Sequence, residues 1–274
     1  MNMNPESMIS GDGGLRVPAT SVTWLQFLQL SRVTNSEQGG WDYKSYWEKR
    51  CLGKLRNAEF LKTWTKNSLE ENARPKPRDN DFRFDRDFSV SRNGLLAENN
   101  DSWDKHSENT LNTKIFYNRN KKGIIPPAGK IVGFEIPLAA ESDGQLKVDL
   151  FGLGCLESDE KEKFISITEL KKADNTNNSP LLALTEAVCY GLQLIRCKDS
   201  LLKDPTLVKE KIMSDHFKNI RLVLAAPTGY WKYWISSNLE KRLNEIIAQA
   251  NVILVPHHQF SLHLYTLRDE DVRM

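Results

Sequence analysis

Between Lys130 and Leu267 the spacing of apolar residues changes from two to three or four and back again, and the order of those changes restricts the fold more than any other feature. Ile131–Leu138 alternates as a strand, Glu141-Ser-Asp-Gly marks a turn, Leu146–Leu153 is a second strand and Phe164–Lys171 a third. A helix is then expected from a cap at Ser179, with Pro180 at its first position, through Leu181, Leu184, Val188 and Leu192 to about Arg196. Arg221–Ala226 reads as a buried strand, Ser237–Asn251 as an amphipathic helix, and Val252–Val255 and Leu262–Leu267 as further strands. Three strands, a helix, a strand, a helix and strands predict an α/β protein with a mixed sheet and flanking helices.

The first half of the chain is more polar. Residues 1–19 are rich in Gly, Ser and Asn and read as a flexible terminus. Trp24, Leu25, Leu28 and Val33 then outline one helix, and Tyr43, Trp47, Cys51, Leu55, Ala58 and Leu61 a second, whose lysines and arginines suit a solvated outer face better than a phosphate-binding one. From Ala73 to Gly129, Pro75, Pro77 and the pair Pro126-Pro127 break the pattern into an irregular connector. Within it, Phe82, Phe84 and Phe88 fit either a strand or a loop that closes over a ligand. The organisation expected is therefore a terminus (1–19), a helical and irregular region for recognising substrate or a partner (20–129), and a core (130–274).

Three charges interrupt the strand patterns of that core. Asp149 lies in Lys147-Val-Asp-Leu-Phe-Gly, and Glu169 and Lys171 lie in Ile165-Ser-Ile-Thr-Glu-Leu-Lys-Lys. A charge among buried strand residues is costly to desolvate unless it has a partner or a metal. If the two strands form a hairpin centred on Asp159, in the acidic connector Glu157-Ser-Asp-Glu-Lys-Glu, residues 149 and 169 are equidistant from the centre and face each other. Their Cβ atoms would then be about 5 Å apart, and Lys171, two residues on, would project from the same face as Glu169. Paired carboxylates hold a hard divalent cation together with a backbone carbonyl, here that of Leu170, and water. Such a cation stabilises charge on a phosphate and activates a water, while Lys171 can orient that water or offset negative charge.

This pattern resembles the PD-(D/E)xK, or restriction-endonuclease-like, nuclease superfamily over roughly residues 130–230. In that family an Asp ends one core strand and Glu-x-Lys lies on the next, as Asp149 and Glu169-Leu-Lys171 do, and a helix follows, as Ser179–Arg196 would. Some members carry Gln-x-x-x-Tyr on that helix. Here Glu186-Ala-Val-Cys-Tyr190 has the spacing with Glu in place of Gln, and Val148 stands where the name-giving Pro would be. Many members have a Glu upstream of the Asp, for which Glu135 is the candidate, diagonal to Asp149 and reaching a metal through water. The resemblance implies a mixed sheet of the restriction-endonuclease-like type and a nuclease that hydrolyses DNA with Mg²⁺ or Mn²⁺. The catalytic set would be Asp149, Glu169 and Lys171, with Glu135, Glu186 and Tyr190 as additional members. Asp149, Glu169, the Leu170 carbonyl and Glu135 would hold the metal. A non-catalytic nucleic-acid-binding or assembly protein of the same fold, and an RNA-cleaving member, are the alternatives.

Other features weigh less. With 38 Lys and Arg against 36 Asp and Glu, the net charge of +2 gives no global field for a polyanion, so any nucleic-acid surface must be local. Lys147, Lys172, Trp231 and Lys232 are the candidates, Trp231 as a base-stacking side chain, although covering the core suits Trp231 and Trp234 slightly better. Gly152-Leu-Gly-Cys falls between two strands and is not a dinucleotide loop. His257 and His258 would point to opposite faces of a strand and cannot chelate together. The four cysteines have no metal-finger spacing, and no apolar run approaches the roughly 20 residues that span a bilayer. A cytoplasmic protein without a membrane partner is expected, with a homodimer or partner protein engaged through the N-terminal region.

Overall fold

A ladder of six strands in sequence order, β1 to β6, forms one mixed sheet in the computed structural model of the chain. The structure describes residues 103–117, 124–137, 147–156, 159–175, 178–234 and 239–272. The expected helices at 21–33 and 41–64, the segment 81–88, the flexible terminus and the turn at 141–144 lie outside these residues.

Strands β1 (Ile124–Ile125), β2 (Gly129–Pro137), β3 (Lys147–Leu156) and β4 (Asp159–Leu170) run antiparallel in succession, and β5 (Asn219–Ala226) and β6 (Gln259–Thr266) add in parallel. Parallel neighbours need crossovers. The helix α2 (Pro180–Arg196) lies between β4 and β5, and α4 (Leu239–Leu254) between β5 and β6; α1 (Glu108–Tyr117) precedes the sheet and α3 (Thr228–Trp234) follows β5. The α/β class and mixed sheet expected from the sequence are thus present. Among the described residues no helix is long and apolar enough to cross a membrane.

Both faces of the sheet are covered, and the alternation along its strands shows it. Ile220, Leu222, Leu224 and Ala226 of β5 enter one apolar cluster with α2, α3 and α4, while Val223 and Ala225 enter a second with Leu111 and Ile115 of α1. Helix α2 starts as its sequence dictates: Ser179 Oγ accepts the Leu182 N–H at 3.2 Å and Pro180 occupies the first turn. The core division expected at 129/130 falls inside β2, because α1 and β1 pack on the same sheet.

Three expectations are corrected. Val252–Val255 is not a strand: α4 runs on through Leu254 and gives way only as Pro256 approaches, since a four-residue apolar run has no periodicity of its own. His257 and His258 consequently sit in the turn after α4, where the His258 ring donates to the Phe217 carbonyl at 2.7 Å. The segment Thr228–Trp234, for which no element was expected, is helix α3. Gly152 and Gly154, expected between two strands, lie inside β3, because the strand runs on to Leu156. A Cβ at Gly152 would strike the Ala128 carbonyl and Ser166 Oγ, and one at Gly154 would enter the ring of Phe164, which the Arg221 guanidinium covers at 3.6 Å.

Candidate active site

Residues two apart on a strand share a face, so Glu169 and Lys171 continue the face of Ile165 and Ile167, which pack in the α2 cluster. At the end of β4 that face stops being apolar. Glu169 is 3% exposed and Lys171 4%, both buried where the strand emerges between β3, α1 and α2.

The β3–β4 ladder fixes the register. Leu150 pairs with Thr168 and Phe151 with Ile167, which sets Asp149 opposite Glu169 one step further. The chain reaches this register through an irregularity, since Leu156 pairs with Asp159 whereas Cys155 pairs with Lys163. Past the last paired residues, the Leu170 N–H donates to Oδ2 of Asp149 at 2.7 Å. Lys171 N–H donates to Ala225 O on β5 at 3.0 Å, so the polar groups of Leu170, including its carbonyl, are directed toward the β3 side, where Asp149 stands.

A cavity of about 430 Å³ opens here, lined by Asp149, Glu169 and Lys171 together with Glu135, Glu186, Tyr190 and Lys147, and also by Glu108, Asn109 and Asn178. All six residues expected to carry or assist the chemistry therefore border one space. The Lys171 ammonium lies 3.3 Å from Glu169 Oε2 and 3.4 Å from Glu186 Oε2. Glu186 and Tyr190 are one turn apart on α2 and both buried. Glu135 stands directly opposite Asp149, between the pairs Phe134–Leu150 and Ile136–Val148, and not diagonal to it. Its backbone has φ 46°, unusual for a residue with a side chain. Phe134 and Ile136, on either side of it, enter opposite clusters, as do their ladder partners Leu150 and Val148. Glu135 pairs with Lys147 at 3.4 Å at the rim of the cavity.

The remaining expected contacts lie elsewhere. Lys172 pairs with Asp174 at 3.2 Å outside the cavity. Trp231 is 4% exposed and donates its indole N–H to the Tyr265 carbonyl at 3.1 Å, so it covers the core and offers no ring to a base. Lys232 is exposed on α3 and does not line the cavity.

Two residues were missed from sequence. Asn112 of α1 donates to Oδ1 of Asp149 at 3.1 Å, and Glu108, one turn earlier on the same helix, accepts from the Lys172 N–H at 3.3 Å and Asn175 Nδ2 at 2.9 Å. The signal available was slight: Ser107 before a Leu111/Ile115 pair at helical spacing, with Ser107 Oγ accepting the Thr110 N–H at 3.2 Å.

Electrostatically the cavity is a carboxylate cage. Burial pushes the Asp149 carboxyl up to about 6, against the opposing pull of Lys171 and the Leu170 N–H. Burial, and then the charges of Asp149 and Glu186, hold Glu169 well above the usual carboxylate range. Burial works against the Lys171 ammonium, but Glu186, Glu169 and Asp149 outweigh it, and its pKa is raised well above the ordinary lysine value. Oε1 of Glu169 is buried without a hydrogen-bond partner. Among the described residues no group of three or more His, Cys, Asp and Glu side chains forms a metal cage on its own. Two carboxylates and a carbonyl, with water completing the shell, are what a hard divalent cation requires. The unpartnered Glu169 oxygen and the surplus of carboxylates over ammonium groups fit such a cation.

No family model matches the chain, and neither a curated protein nor a solved structure does.

Proposed function

We propose that the chain is a metal-dependent nuclease of the PD-(D/E)xK, restriction-endonuclease-like type that hydrolyses phosphodiester bonds in DNA. One observation carries the reading: the Leu170 N–H, between Glu169 and Lys171, is held by Asp149 at 2.7 Å, joining the Asp of one strand to the Glu-x-Lys of the next. A strand order of antiparallel meander followed by two parallel strands with helical crossovers supports the fold type.

Bound Mg²⁺ or Mn²⁺ would supply Lewis-acid stabilisation of the phosphate and lower the pKa of an attacking water. The chain's own groups do the rest. Asp149, Glu169 and the Leu170 carbonyl would hold the cation, and Glu135, opposite Asp149 on β2, would reach it through water. Lys171, whose ammonium form is favoured by Glu186 and Glu169, orients the water and offsets charge that develops on the phosphate. Glu186 and Tyr190 wall the cavity on the α2 side.

The test is cleavage of duplex DNA, single-stranded DNA and RNA by the full chain. DNA should be cut with Mg²⁺ or Mn²⁺, spared in EDTA, and spared by Asp149→Ala and Lys171→Ala. Cleavage of RNA alone would favour the same chemistry on that substrate. Binding without cleavage, indifferent to chelator, would make the chain a non-catalytic nucleic-acid-binding or assembly protein.

A further inference from the structure

Asn112 is a buried polar residue in the interior of helix α1, 0% exposed, at a position where asparagine is a poor helix former. Its own carbonyl oxygen Oδ1 is buried without a hydrogen-bond partner. The amide is therefore not placed to satisfy itself, and a leucine of the same size would cost the fold less. What it does make is one bond: Nδ2 donates to Oδ1 of Asp149 at 3.1 Å, across 37 residues of sequence.

We propose that Asn112 is a positioning residue that fixes the Asp149 carboxylate for a divalent cation, so that docked α1 belongs to the catalytic unit. The inference rests on the cation-binding role argued above for Asp149. The geometry is that of a carboxylate clamped at both ends. Oδ2 takes the Leu170 N–H from β4 and Oδ1 takes the amide from α1. Two donors from two separate elements prevent the carboxylate from turning about its terminal torsion. A carboxylate oxygen has about two acceptor directions, so one donor on each leaves one direction on each for a cation. Outer partners of this kind set the orientation of a metal ligand and typically change affinity by about 10- to 100-fold.

Helix α1 is itself firmly seated. Leu111 and Ile115 are 0% and 1% exposed and share a cluster with Ile131 and Phe134 of β2. At the other end of the site, Glu108 ties the first turn of α1 to Lys172 and Asn175 beyond β4. Asn112 thus transmits the docking of a helix outside the expected core to the orientation of Asp149.

The experiment compares Mn²⁺ binding, read by calorimetry and by the electron paramagnetic resonance signal of free Mn²⁺, in the wild-type chain, Asn112→Leu, Asn112→Ala and Asp149→Ala. Circular dichroism and urea unfolding in EDTA accompany each. Asn112→Leu should stay folded and bind Mn²⁺ about tenfold or more weakly. Its half-saturating Mg²⁺ for cleavage should rise in parallel, with KM for DNA at saturating Mg²⁺ unchanged. Asn112→Ala supplies the same comparison should leucine disturb packing. On an Asp149→Ala background the Asn112→Leu change should weaken Mn²⁺ binding no further. Wild-type affinity in both Asn112 variants, or an equal loss on the Asp149→Ala background, would overturn the proposal alone. A wild-type chain that binds no Mn²⁺ would overturn the cation-binding role of Asp149 as well.

Discussion

Oδ2 of Asp149 accepts the backbone N–H of Leu170 at 2.7 Å, at the point where main-chain pairing between β3 and β4 has ended. One side chain thus completes a strand ladder and stands opposite the Glu-x-Lys segment. Its removal should have two separable effects. Asp149→Ala and Asp149→Asn should both abolish cleavage. In EDTA, however, Asp149→Asn should be at least as stable as wild type, because its amide oxygen can accept from Leu170 while the amide of Asn112, whose Oδ1 lacks a partner, can turn over to accept in return. Asp149→Ala leaves the Leu170 N–H unsatisfied and should be less stable than Asp149→Asn by about 1–3 kcal/mol. Urea unfolding decides it, and equal stability of the two variants would count against the bond's structural role.

Lys171 lies between two buried carboxylates, with its side chain 5% exposed. Lys171→Met should abolish cleavage and, in EDTA at pH 8, cost about 3–5 kcal/mol, the usual consequence of leaving buried charge uncompensated. The cost should shrink near pH 5, where protons can occupy the carboxylates. Because the ammonium is held above the ordinary lysine pKa of about 10.4, the pH–rate profile should show no fall from loss of its proton below about pH 10. An alkaline limb near pH 8 that disappears in Lys171→Arg would contradict this.

The raised pKa values set the direction of the pH dependence of stability. Asp149 and Glu169 have folded-state values above the unfolded ones, about 3.9 and 4.3. Between the unfolded and folded values the native state binds more protons, so their contribution to stability falls as pH rises. For Asp149 the loss should run from about pH 4 through about 6, and it should be absent from Asp149→Asn. A cation should reverse it. At a hundred times its Kd a ligand adds about 2.7 kcal/mol, which for a chain of this size is on the order of 5–10 °C in Tm. That gain should appear at pH 8 and largely vanish at pH 4.5. A melting temperature indifferent to Mn²⁺ at both values would argue against a cation in the cage.

The contrast between Asp149 and Asn112 shows what a sequence discloses. Asp149, Glu169 and Lys171 stood out because charges interrupted strands of otherwise apolar residues, and the period of two then linked them by register. The cap at Ser179 and the run to Arg196 were equally legible, since both follow from local hydrogen bonding and spacing. Glu108 and Asn112 were not, because a polar residue in a polar segment carries no mark; only the long-range packing of Leu111 and Ile115 on β2 brings Glu108 to the cavity and buries Asn112. The run Val252–Val255 misled for the opposite reason: its composition suits a strand or a helix, and the continuation of α4 that decides between them is tertiary. Trp231, for which covering the core was slightly preferred to stacking on a base, is buried.

Glu186 stands where some members of the proposed family carry Gln, and its carboxylate meets Lys171 at 3.4 Å. Glu186→Gln keeps the shape and an oxygen that can accept from Lys171 but removes one negative charge from the cage. Among the causes that hold the Glu169 carboxyl high is the charge of Glu186. Without that charge Glu169 should ionise at lower pH, so the acid limb of the pH–rate profile should move to lower pH. Lys171 keeps Glu169 as its partner, so cleavage should fall by less than about tenfold, equivalent to about 1.4 kcal/mol in the barrier. The variant should also be more stable than wild type in EDTA at pH 8, having one buried charge fewer. Loss of cleavage as complete as in Asp149→Ala would instead make Glu186 a cation ligand, and an acid limb left unmoved would mean that its charge does not act on Glu169.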